Sequence, residues 1–175
     1  MADHDRAMSA LRTIAWPVYA AGVLTILLPL ADLLASVWPM RLGQVEWRFG
    51  TLGLLAGFTL TPLLGMIMCM AAAAVLEHRV VQRVLAVVDV LAAVLLFAFI
   101  VIFAFDWLQY RAAAPAEART GMDVGSIKAI IKHALVAVAF LWLGFAGWRA
   151  GRDRGGRREK RQAAPLIREP DRAAS

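Results

Sequence analysis

Between Phe49 and Leu76 the chain runs for 28 residues without an aspartate, glutamate, lysine, arginine or histidine. A helix crossing a hydrocarbon core ~30 Å thick needs about 20 apolar residues at ~1.5 Å each, so this run is long enough alone. Four apolar segments of this kind can be read, at residues 13–37, 50–76, 81–105 and 127–148. None alternates in polarity. Lipid tolerates only helices or closed barrels, and barrel strands are ~10 residues long with alternating faces, so helices are expected throughout. Charged residues make up 18% of the chain, below the ~25% of globular domains, because these runs exclude them. The first segment exceeds the 7–15 residues of a signal-peptide core and contains Trp16 and Pro17, which favours a retained span. The expected fold is an all-α integral membrane protein. A four-transmembrane-helix bundle over residues 1–150 is followed by a disordered basic tail, 151–175.

Charge distribution gives the expected orientation. Arg6, Arg12, Arg79 and Arg83 flank one side, together with a tail that holds most of the net charge of +6. By the positive-inside rule both termini are cytoplasmic, as in a bacterial inner membrane. Arg149, Arg152, Arg154, Arg157, Arg158, Lys160 and Arg161 form the basic stretch of the tail. Such residues are drawn to anionic headgroups by roughly 1 kcal/mol each near the surface. The lipid bilayer is therefore an expected partner. Nucleic acid is not, since no aromatic residues interleave the basic ones.

The second segment carries small residues at every fourth position: Gly53, Gly57, Thr61, Gly65, Cys69 and Ala73. Small residues let helices approach closely, which matters where apolar side chains gain little by leaving lipid for one another. A step of four residues turns ~400°, so the stripe winds around the helix and its parts should meet different neighbours. Gly144 and Gly147 promise the same near one end of the fourth segment. Pro62 removes an N–H and crowds the carbonyl of Phe58, predicting a kink. Ser126 is placed to cap the fourth helix.

Asp89 stands alone in the apolar stretch VLAVVDVLAAVLL. Counting from Arg83 it lies six residues, or ~9 Å, inside the hydrocarbon. Its neighbours at helical spacing, Gln82, Ala86, Ala92 and Ala93, are small or polar and predict that it faces the bundle. Tyr19 and Trp142, at similar depth, are the expected hydrogen-bond donors to it. At the opposite boundary, Asp32, Asp106, Lys128, Lys132 and His133 are expected to gather as a charge cluster.

No catalytic constellation is present. His4, His78 and His133 sit at mismatched depths for a haem, the lone cysteine excludes an intrachain disulfide, and no nucleotide loop or nucleophile motif appears. A protein without enzyme activity or cofactor is expected. Two functions fit. One is an accessory or assembly subunit, or a homo-oligomer, acting through helix contacts. The other is a small transporter or channel subunit in which Asp89, Thr61 and the Pro62 kink line a path. Polar residues at successive depths along one face would separate them, and in the linear sequence that feature is faint.

Overall fold

The computed structural model describes residues 2–163, with side chains from 13 to 150. The fold is all-helical. Five helices follow one another: α1 (Ala2–Ser36), α2 (Val45–Phe58), α3 (Leu60–Val75), α4 (Arg79–Ala113) and α5 (Ala116–Ala163). Three of them, α1 over Thr13–Ser36, α4, and α5 over Ala116–Ala150, are long and apolar enough to cross a membrane. The number rises to four if α2 and α3 count as one bent span.

That bend is 44°. It falls at Thr59, three residues before Pro62, so the proline occupies the first turn of α3, where a missing N–H is tolerated. Thr59 keeps right-handed helical dihedrals (φ −68°, ψ −28°) and its N–H still donates to the carbonyl of Leu55. The chain therefore redirects without unwinding.

Two boundaries differ from the sequence expectation. The connection between the third and fourth segments is only Ala114–Pro115, because alanines, Glu117 and Arg119 favour helix and α5 begins at Ala116. Ser126 is consequently inside α5 rather than capping it. At the far end α5 runs through Ala163, where a structureless tail was expected from Gly151; its Arg, Glu, Lys and Gln residues are good helix formers. Residues 164–175 lie outside the described residues.

The α3–α4 turn closes on a left-handed residue that is not glycine. Glu77 has φ 56°, the N–H of His78 donates to the carbonyl of Ala73 at 3.0 Å, and that of Glu77 to Ala74 at 3.4 Å. This is a Schellman end to α3. The two-residue link at Pro115 lays α4 and α5 side by side, antiparallel. α2 packs on α4, α3 touches both α4 and α5, and α1 lies along α3 with its end near α2. Among the described residues the α1 backbone does not approach that of α4 or α5 closely. One apolar core joins Leu63, Met66, Ala93, Leu96, Val136, Ala137 and Phe140, and a second joins Leu52, Ala56, Phe103 and Ala129.

Candidate functional site

The inward face of α4 reads Gln82, Ala86, Asp89, Ala93, Leu96, Phe103 and Asp106, a single face at steps of three, four and seven residues. From α5 it meets Ser126, Ala129, His133, Val136, Ala137, Phe140, Gly144 and Gly147. Among the described residues the largest fully buried side chains are His133, Asp89, Asp106 and Ser126, all polar. Leu91, Phe105 and Leu135, in contrast, are more than 60% exposed. Polar groups inside and bulky apolar groups outside is a distribution compatible with lipid around the helices, since leucine gains little by leaving it.

Asp89 is completely buried, and neither carboxyl oxygen has a hydrogen-bond partner. Leaving a buried polar group unpaired costs roughly 1–3 kcal/mol, and an ionised one more. Small residues surround it. A Cβ built on Gly144 would stand 3.4 Å from the Asp89 Cβ and 2.9 Å from the carbonyl of Ala86, and Gly147 packs on Ala86 and Met70.

Neither expected donor reaches it. Trp142 is 71% exposed. It lies two residues from both Phe140 and Gly144, about 200° around the helix, so it points away from the face they bury. The Tyr19 hydroxyl is buried and also lacks a partner. Its ring stacks on His78 at 6.4 Å, on the α1–α3 side of the molecule.

The charge cluster expected at the other end is organised around a different residue. Arg48 clamps Asp106 through two hydrogen bonds, Nη2 to Oδ1 at 2.7 Å and Nε to Oδ2 at 3.0 Å, and its Nη1 donates to the carbonyl of Leu42. Lys128 and Lys132 are exposed, pointing roughly 110° around α5 from the face of Ser126, Ala129 and His133. Asp32 is exposed on α1. His133 turns inward, its Nδ1 2.9 Å from the Ala129 carbonyl and its Nε2 without a partner. Nearby, Phe49 stacks on Phe103 at 5.0 Å and on Tyr110 at 5.3 Å.

Beyond the apolar run of α5, Asp123 accepts from Arg111 Nε at 2.8 Å and from Trp107 Nε1 at 3.2 Å. The hydrogen bond from the Arg111 guanidinium holds the Asp123 carboxyl below the usual carboxylate range.

The stripe of small residues divides among neighbours. Gly65 and Gly22 approach backbone to backbone: a Cβ on Gly65 would stand 2.6 Å from the Gly22 carbonyl oxygen, and one on Gly22 would stand 2.6 Å from Cys69 Sγ. Cys69 and Ala73 are buried in the same α1–α3 seam. Gly22 was not singled out in the sequence, though Gly22 is the only glycine of α1 and that alone marks it. Gly53 makes an ordinary contact with Phe103, whereas Gly57 meets nothing within 4 Å and Thr61 is exposed. Thr61 therefore lines no interior path; the threonine buried at the bend is Thr59.

Beside that bend, Ile26, Leu30, Thr59, Pro62, Leu95 and Phe99 contribute to the wall of a cavity of about 280 Å³. Among the described residues no group of three His, Cys, Asp or Glu side chains is arranged to hold a metal ion. Arg149 is exposed, and the side chains of Arg152, Arg154, Arg157, Arg158, Lys160 and Arg161 lie outside those described. The chain matches no family model, no curated protein and no solved structure.

Proposed function

We propose that the chain is a multi-pass membrane protein that acts through helix contacts, as an accessory or assembly subunit of a membrane complex or as a homo-oligomer. In this reading the bent pair α2–α3 forms one of four spans. Both termini lie on the cytoplasmic face of a bacterial inner membrane, with the basic tail against anionic headgroups.

The observation that carries this reading is the unequal use of small residues. Gly22, Gly65, Gly144 and Gly147 are filled by the chain's own helices, while Gly57 and Thr61 leave a small-residue face on the bent span open. A four-residue pair of small side chains is a helix-association surface, because it lets a second backbone come close.

Cysteine cross-linking in native membranes tests it. With Cys69 replaced by alanine, Gly57→Cys should form a cross-linked species and an exposed cysteine at Val87 should not. Native mass spectrometry of gently extracted protein then identifies the companion as a second copy or a different subunit. A monomer by mass, together with no cross-link at Gly57, would remove the basis for the proposal.

A further inference from the structure

We propose that Asp89 is a proton-binding site that exchanges with water from the Gln82 end of the bundle and is closed off from the opposite end. The inference stands on the bundle's own interior and needs no partner, so its failure would leave the helix-contact reading untouched.

A proton is the ligand that the surroundings admit. Asp89 has no hydrogen-bond partner and no exposure, and it lines neither the cavity at the bend nor the surface groove over Gly144 and Val90. A metal ion needs several ligands and a cavity to sit in. Protonation needs neither: the carboxylate takes up one proton and becomes a neutral acid, which an apolar interior accepts far more readily.

The titratable groups on the packed elements are few. On α1 the Tyr19 hydroxyl is buried, and on α3 Cys69 is buried. α5 offers Arg149, exposed and five residues or ~8 Å from the Gly144 level, and His133, eleven residues or ~16 Å away in the other direction. α4 has the exposed Arg83 six residues from Asp89, and α2 offers Glu46 and Arg48 at the far end. On α4 itself the next acid is Asp106, already clamped by Arg48.

Access is one-sided. Towards the α3–α4 turn the inward face of α4 continues through Ala86, a small residue, to the buried amide of Gln82. Beyond it Glu77, His78, Arg79, Val80 and Val81 border an open depression of about 540 Å³. Gln82 stands seven residues, ~10 Å, from Asp89. The space between is filled by Ala86 and the flexible Met70 side chain packed on Gly147, so water crosses it when Met70 moves. In the other direction Ala93, Leu96, Met66, Val136 and Phe140 close the interior with apolar side chains. Only past that plug do His133, Ser126 and the Arg48–Asp106 pair appear.

Infrared spectroscopy of the full chain in lipid nanodiscs tests the proposal. The expected result is a carboxylic-acid carbonyl band that is lost in Asp89→Asn and disappears reversibly as pH is raised. Its hydrogen–deuterium shift should be slowed by Gln82→Leu, which removes the polar step towards water. An Asp89 band that no pH alters while the fold survives, or no such band at all, overturns proton exchange. A band that titrates and exchanges equally fast in Gln82→Leu overturns the one-sided route.

If Asp89→Asn does not fold, an apolar carbodiimide on the native chain replaces it. The reagent adds across the protonated carboxyl to give an N-acylurea, mapped by peptide mass. Labelling at Asp89 that declines as pH rises supports the proposal, and its absence at every pH overturns it.

Discussion

The α4–α5 hairpin and the α1–α3 pair solve the same packing problem with different chemistry. The α4–α5 interface encloses Asp89, Asp106, Ser126 and His133 beside Gly144 and Gly147. The α1–α3 seam has almost no polar side chain to enclose and closes by bare backbone approach, with Gly65 against Gly22 and Ile26. One interface is specified by buried polar groups, the other by the absence of side chains. The first should tolerate volume changes better at its polar positions than the second does at its glycines.

The largest effect should therefore come from Gly65→Leu. The new Cβ alone would meet the Gly22 carbonyl oxygen and Ile26 Cγ1, both at 2.6 Å, and Gly22 has no side chain that could move aside. Overpacking of this kind costs typically 1–3 kcal/mol, and a rigid backbone neighbour places it at about 3. Because α1 has no other long contact, the loss should read as detachment of α1: a lowered melting temperature in detergent and a Cys69 thiol that becomes reactive to maleimide. Gly57→Leu, on open space in the same span, should leave melting and Cys69 reactivity unchanged. Equal destabilisation by the two would remove the distinction between a filled and an open part of the stripe.

Next comes Arg48→Ala. Asp106 has a side chain 3% exposed and depends on the two Arg48 hydrogen bonds, while Arg48 is itself 29% exposed. Removing one partner of a buried pair leaves the other charge uncompensated. The loss, a clear fall in melting temperature smaller than that of Gly65→Leu, is moderated here because water reaches the arginine side. Replacing both members, Arg48→Met with Asp106→Leu, should recover most of the lost stability, since the remaining cost is that of an unpaired buried carboxylate. Thermal unfolding of the two variants side by side decides it; a double variant no better than the single one would place the cost elsewhere.

How much of this was legible beforehand follows the same division. Periodicity marks apolar runs and small-residue stripes well, so the helices, the bend near Pro62 and the inward face of α4 could be anticipated from residue types alone. Pairings across helices were less accessible. Asp106 shares a depth with Lys128 and Lys132, but depth says nothing of azimuth: the lysines look outward and the partner, Arg48, sits at the mouth of the second segment. Trp142 failed for the same reason, two residues away from the buried face. Gly22 lacks the repeat that makes Gly65 conspicuous, so half of the Gly22–Gly65 contact is invisible to a search for stripes.

The turn that joins the two halves offers a smaller test. Glu77 holds φ 56° at the position where a Schellman end usually places glycine. Left-handed dihedrals cost a side-chain-bearing residue ~1–2 kcal/mol, and glycine's extra freedom in the unfolded chain returns part of that. Glu77→Gly should raise stability by about 0.5 kcal/mol, measured as a small rise in melting temperature. A fall would mean that the Glu77 side chain contributes more to the turn than its backbone strain removes.

The smallest effect belongs to the exposed clasp at the other turn, where Asp123 receives Arg111 and Trp107. The Arg111 hydrogen bond lowers the Asp123 pKa in the folded chain, so the carboxylate favours folding wherever it is ionised. That contribution is fully present above the ordinary carboxylate value, ~3.9, and is lost as pH falls through the lower folded-state value. Asp123→Asn should accordingly lower the melting temperature slightly at neutral pH, and the gap between variant and native chain should close in acid. High salt should narrow the neutral-pH gap as well, because both partners meet water. A gap that is constant across pH and salt would assign the effect to the Trp107 hydrogen bond instead of the charge pair, and Trp107→Phe would then reproduce it.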